Sequence, residues 1–282
     1  MALYRDYDRA ALDAQYFLRG RVPEHPEYFR RWAEDSAAVR RARPCRLDIA
    51  YDGEKLDLFP AEKKPAPCLL FIHGGYWQAL GKSDFSFLVP AFQDAGIAVA
   101  VADYTLAPKA DMDEIVRQNR AAVAWLQRNA REHGIDPARI HVAGHSAGGH
   151  LAAMVLETDW RAFGLDRDPV RGACAISGLY DLEPIRLSYL NDVLALDAAA
   201  AERNSPLLHL PKQSPPLILS VGTGETDEFL RQQESFATAW RAAGLPLEVA
   251  DQPGDNHFDA VERLGQPQSL LHQAVMRQIS GA

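Results

Sequence analysis

Gly144-His145-Ser146-Ala147-Gly148-Gly149 follows the short apolar run Ile140-His141-Val142-Ala143 and precedes a segment, to Glu157, rich in Ala, Met, Val and Leu at helical density. The reading is strand, sharp G-x-S-x-G turn, helix. Glycines flank the serine because so tight a turn leaves no room for side chains. A serine held there projects its hydroxyl above a sheet, with the N-terminus of the next helix beneath it. That setting suits attack on a carbonyl and favours the negative charge that results.

Two further stretches fit the same chemistry. Upstream, the apolar run Cys68-Leu69-Leu70-Phe71-Ile72 enters His73-Gly74-Gly75-Tyr76-Trp77. Paired glycines let backbone N–H groups turn toward a substrate oxygen, so Gly75 and Tyr76, joined by Ala147 after the serine, are the expected oxyanion donors. His73 precedes the serine and reads as a brace for this loop. Downstream, His257 in Asp255-Asn256-His257-Phe258-Asp259 lies in a polar turn between the strand-like Leu247–Ala250 and a final helix expected near Gln266. A base that comes last in the chain fits the order serine, acid, histidine. His25, His133, His141, His209 and His272 fall in segments away from the expected sheet top, and His145 and His150 flank the serine from its far side. The acid should follow the buried strand Pro216–Val221, where Gly222-Thr223-Gly224-Glu225-Thr226-Asp227 offers Glu225 and Asp227. Either can hold an imidazole in one tautomer, the other then serving a helix N-terminus.

Around these motifs strand and helix patterns alternate, the signature of a mostly parallel α/β sheet flanked by helices. Period-two runs at 46–50 and 55–59 suggest an antiparallel start, and residues 1–43 read as a polar helical extension. Residues 177–210, with Pro184 and Pro206, interrupt the alternation as a small cap or lid. The 282 residues suit one α/β domain, and the net charge of −8 argues against nucleic acid or an anionic membrane as partner. Cys45, Cys68 and Cys174 form no disulfide framework; with no signal-peptide pattern, a cytoplasmic protein is expected. No spacing suggests a metal site, and no cofactor is expected. The oligomeric state stays open, a homodimer included.

These residues together resemble the α/β-hydrolase superfamily, and within it the esterase/lipase group that includes the α/β-hydrolase type of kynurenine formamidase (arylformamidase). The likeness rests on His73-Gly74-Gly75-Tyr76-Trp77-Gln78, Gly144–Leu151, Ser177-Gly178-Leu179-Tyr180-Asp181-Leu182-Glu183-Pro184-Ile185, Asn204-Ser205-Pro206, and Glu228-Phe229-Leu230-Arg231-Gln232 with His257-Phe258. Tyrosine after the two glycines, where hormone-sensitive-lipase-like enzymes carry a third glycine, is the sharper marker. In the formamidase pattern the acid stands three residues before the Glu-Phe-x-Arg-Gln stretch, which favours Glu225 and leaves Asp227 open. The resemblance implies a Ser146–His257–acid triad removing a small acyl group, such as formyl, from an aryl amine. Tyr76, Trp77, Tyr180 and Phe258 are candidates for an aromatic wall around the leaving group. Two rival readings are a carboxylesterase for short acyl esters and a non-catalytic binding module on a hydrolase scaffold.

Overall fold

The computed structural model describes residues 2–281. Its centre is an eight-stranded sheet of β1 (Arg46–Tyr51), β2 (Glu54–Phe59), β3 (Ala66–Ile72), β4 (Ala98–Ala102), β5 (Ile135–His145), β6 (Val170–Ile176), β7 (Leu217–Ser220) and β8 (Leu247–Val249). The spatial order is β1-β2-β4-β3-β5-β6-β7-β8. The hairpin β1–β2 and the β2–β4 pair are antiparallel; every later pairing is parallel. Every residue of β3, β4 and β7 is buried, as expected for parallel strands covered by helices on both faces.

The helices are α1 (Arg9–Tyr16), α2 (Leu18–Arg21), α3 (His25–Ala42), α4 (Val89–Gln93), α5 (Met112–Asn129), α6 (Ala147–Leu156), α7 (Glu183–Arg186), α8 (Asn191–Leu194), α9 (Ala198–Arg203), α10 (Asp227–Ala242), α11 (His257–Glu262) and α12 (Leu270–Ser280). All ten residues of α6 are buried, so its apolar composition serves a helix covered all round. Asp111 caps α5 by accepting from Glu114 N, which sets the start of that helix at Met112. The expected polar turn at Asp255–Asp259 is a helix start. Asn256 accepts from Phe258 N and Asp259 N while Asp259 accepts from Asn256 N, a reciprocal cap that nucleates α11. The final helix starts at Leu270, capped by Ser269.

Strand register determines what can meet. Ile72 pairs with Gly144, His145 with Ile176, and Ile176 with Ser220. The segments leaving β3, β5, β6 and β7 therefore emerge side by side at one end of the sheet. The chain runs outward in opposite directions from β3 and β5, and this divergence opens the crevice in which α/β sheets bind ligands. A bridge between Gly222 and Gln252, with Gly224 N donating to Asp255 O at 2.9 Å, ties the loop after β7 to the loop after β8.

Candidate active site

Ser146 stands between β5 and α6, at the N-cap of the helix, with φ 59° and ψ −119°. Such backbone costs a non-glycine residue about 1–3 kcal/mol and persists only where its surroundings enforce it. Here they do: Ser146 N donates to Ile176 O at 2.8 Å, and the turn packs so closely on β3 that a Cβ on Gly148 would sit 2.0 Å from Ile72 O. Ala147 is the first residue of α6, so its N–H has no acceptor within its own helix and is free to face a ligand.

Glu225 and His257 meet directly. His257 Nδ1 lies 2.6 Å from Glu225 Oε2, and both side chains are buried. The other carboxylate oxygen accepts from Gly222 N at 3.0 Å and from the Ser177 hydroxyl. Two donors thus hold Oε1, and Oε2 is left for the imidazole. Asp227 makes no such contact; it is the exposed first residue of α10, where a negative charge favours the helix dipole.

The segment after β3 coils through three successive positive φ values, 108° at Gly75, 50° at Tyr76 and 59° at Trp77. A Cβ on Gly75 would lie 2.1 Å from Ala79 O, so only glycine closes this turn. His73 sits beneath it, fully buried, with Nδ1 2.8 Å from Gly74 O and its ring stacked on Tyr104 at 4.2 Å. Burial lowers its pKa to about 4, so the ring is neutral.

A pocket of about 400 Å³ opens over these groups. Ser146, His257, His145, Gly75, Tyr76 and Phe258 line its floor. Of the proposed aromatic wall, Tyr76 and Phe258 are there and Trp77 and Tyr180 are not. The coiled loop turns Trp77 inward, fully buried, where its Nε1 donates to His150 Nδ1 at 3.2 Å. Tyr180 is also fully buried and stacks on Phe236 of α10 at 4.2 Å. The residues that do complete the wall are Tyr189, between α7 and α8, and Phe17, Leu18, Phe29 and Trp32 from the N-terminal helices. Those from the N-terminal helices escape the sequence reading because they lie more than a hundred positions before Ser146. The available signal was the aromatic spacing His25, Tyr28, Phe29, Trp32, one face of α3.

Hydrogen bonds hold that N-terminal wall in place. Tyr76 and Tyr189 hydroxyls both donate to Tyr16 O, at 2.9 and 3.2 Å, and Tyr16 donates to buried Glu228 at 2.9 Å. Tyr28 donates to Asp259 at 2.6 Å and Trp32 Nε1 to Glu262 at 2.8 Å, fastening α3 to the helix that carries His257. His145 also acts at this point: its Nε2 is 2.9 Å from His257 O and the two rings are 4.5 Å apart. Burial first, and then the neighbouring His257, push the His145 pKa well down, so a neutral ring donates to that carbonyl.

Comparison with known proteins places the chain among relatives. The BD-FAE family model matches residues 56–168, and the prolyl oligopeptidase family model matches residues 114–275. The chain is 37% identical to a kynurenine formamidase of Danio rerio over 254 residues, covering 86% of this chain and 84% of the relative. It is 33% identical to a kynurenine formamidase of Salmo salar over 256 residues, covering 86% and 85%. A crystal structure of a protein from Silicibacter sp. TM1040, assigned provisionally as a thioesterase, superposes with a TM-score of 0.82 at 33% identity over 94% of this chain and 98% of that one. With its sheet order, serine turn and sequence likeness taken together, the chain belongs to the α/β-hydrolase superfamily, in the kynurenine formamidase group, and is a hydrolase.

Proposed function

We propose that this protein is a serine hydrolase that removes a small acyl group from an aryl amine, an arylformamidase acting on N-formylkynurenine or a related N-formyl aryl amide. The observation that carries the reading is the 2.6 Å contact between His257 and Glu225 at the floor of a pocket that Ser146 also lines. Glu225 holds the proton on His257 Nδ1, which leaves Nε2 to act as base toward the Ser146 hydroxyl. Ser146 Oγ attacks the formyl carbon as Nε2 takes its proton. The N–H groups of Gly75, Tyr76 and Ala147 receive the developing oxyanion. The C–N bond then breaks, and the aryl amine leaves with the proton from His257. Water attacks the formyl-serine as His257 takes its proton, and His257 returns that proton to Ser146 Oγ as the acyl C–O bond breaks, releasing formate and free Ser146. An aromatic wall from Tyr76, Phe258, Tyr189, Phe29 and Trp32 suits an aryl leaving group.

The same machinery cleaves esters. A short-chain carboxylesterase is the second reading, favoured by 27% identity over 227 residues to a carboxylesterase of Mycobacterium tuberculosis. Side-by-side kcat/KM values for N-formylkynurenine, p-nitrophenyl acetate and p-nitrophenyl butyrate decide between them, with Ser146→Ala as control. A clear preference for the formamide supports the first reading. Faster turnover of both esters replaces it with the second.

A further inference from the structure

We propose that Arg19 selects substrates whose leaving group carries an anion, a carboxylate above all; this deepens the hydrolase reading and rests on it. The pocket is lined mainly by apolar and aromatic side chains and by no Asp or Glu, and Arg19 supplies its one guanidinium. Three other arginines of the N-terminal helices are neutralised locally, Arg9 by Asp13, Arg30 by Glu27 and Glu34, and Arg31 by Glu262, while Arg21, Arg40 and Arg41 lie outside the pocket. Among the described residues no carboxylate pairs with Arg19. In a chain of net charge −8, an unpaired cation at the mouth of an otherwise apolar pocket sets a local field opposite to that of the whole.

A relay of rings fixes which end of the substrate this charge meets. The His257 ring is 5.8 Å from that of Phe258, Phe258 is 5.5 Å from Phe29, and the Arg19 guanidinium carbon is 5.7 Å from the centre of Phe29. His257 delivers its proton to the leaving group. The wall that runs outward from it is therefore the leaving-group wall, and Arg19 stands at its solvent end. Resting on the Phe29 face, the guanidinium keeps its in-plane N–H groups free for a bidentate carboxylate. A leaving group with an aryl ring against Phe258 and Phe29 and a carboxylate on a short spacer would satisfy both.

The test uses acetate esters of three phenols that differ only at the end of a meta alkyl chain: 3-(3-acetoxyphenyl)propanoate, its primary amide, and the corresponding propylammonium. The alkyl spacer keeps the phenols nearly equal as leaving groups, so the ratio of kcat/KM values reports recognition of charge. Wild type should favour the carboxylate over the amide by about 3- to 10-fold at low salt, mostly through KM, a range set by the exposure of the guanidinium. Arg19→Gln should bring the ratio near one, Arg19→Lys should keep part of it, and Arg19→Glu should turn the preference toward the ammonium. An unchanged ratio in Arg19→Gln, or no preference in wild type, overturns the assignment. Calorimetric binding of 3-(3-hydroxyphenyl)propanoate to Ser146→Ala, with and without Arg19→Gln, repeats the test without turnover. Ester hydrolysis that depends on Ser146 but ignores charge removes only the role of Arg19; hydrolysis that survives Ser146→Ala removes the hydrolase reading itself.

Discussion

Replacing Glu225 by Gln tests the proposed triad at the atom where the structure is most explicit. Glu225 Oε1 accepts from Gly222 N and the Ser177 hydroxyl, while Oε2 faces His257 Nδ1. A glutamine has one acceptor and one donor end. The Gly222 N–H cannot face an NH₂ group, so the amide oxygen stays with Gly222 and Ser177 and the NH₂ turns to the imidazole. His257 must then accept at Nδ1 and carry its proton on Nε2, the tautomer that cannot take a proton from Ser146. Loss of the orienting carboxylate in serine triads costs about 10³–10⁴ in kcat, or about 4–5 kcal/mol of barrier. The fold should survive, since the side chain keeps its shape and three hydrogen bonds remain possible. Steady-state kcat on p-nitrophenyl acetate, with a thermal melt beside it, measures both. Asp227→Asn, at an exposed helix start, should cost only the dipole contribution of about 0.3–1 kcal/mol in stability and leave kcat near wild type. Glu225→Gln within tenfold of wild type, or a larger kcat loss from Asp227→Asn, would refute the assignment of the acid.

Ser146→Ala should lower kcat by about 10⁶ without shifting the melting temperature downward, and activity within tenfold of wild type would end the nucleophile assignment. Gly148→Ala drives a methyl against Ile72 O and should destabilise by about 3 kcal/mol or more; a melting temperature within about 2 °C of wild type contradicts that close approach. Tyr76→Phe removes one of the two hydroxyls on Tyr16 O, so kcat should fall about fivefold as the oxyanion loop loosens, and Tyr189→Phe should do less because it tethers no donor; equal effects would detach the tether from catalysis. Glu157 has an unpartnered buried Oε1, and burial, partly offset by Arg120, pushes its pKa up to about 9. The folded state then holds a proton that the unfolded chain releases above its ordinary carboxyl pKa, so stability falls as pH rises from about 4.5 toward 9. Glu157→Gln should raise the melting temperature at pH 8 and change it little at pH 4, and a gain of equal size at both refutes the linkage.

What the sequence disclosed here followed physical necessity of different kinds. The serine turn was legible because its backbone demands glycine at fixed offsets, and the segments leaving β3 and β7 declared themselves as buried runs ending in glycine. Glu225 and Asp227 could not be separated by spacing, since their difference lies in where Ser177 stands, one strand away. Trp77 and Tyr180 were misplaced because aromatic identity does not report direction. Three consecutive residues at positive φ point Tyr76 and Trp77 to opposite sides of one loop, and nothing in a residue list records that. The role of His145 was hidden likewise, since its partner is a backbone carbonyl 112 positions on. The N-terminal wall leaves only a faint signal for a third reason: its helices have polar composition, and only a few aromatic positions on one face carry the contact.

The docking of that wall has a consequence for how the enzyme comes into being. Residues 17–32 form one side of the pocket, yet Tyr28 and Trp32 are anchored by Asp259 and Glu262, separated by 231 and 230 positions. During synthesis these helices emerge about 230 residues before their anchors exist. Such long-range closure is slow to form and leaves the aromatic faces of α1–α3 uncovered in the meantime. The sheet and its buried Glu225–His257 pair can assemble before that last docking step. Activity toward small, undemanding esters should therefore return early in refolding, and discrimination among leaving groups should return only when the ends of the chain have met.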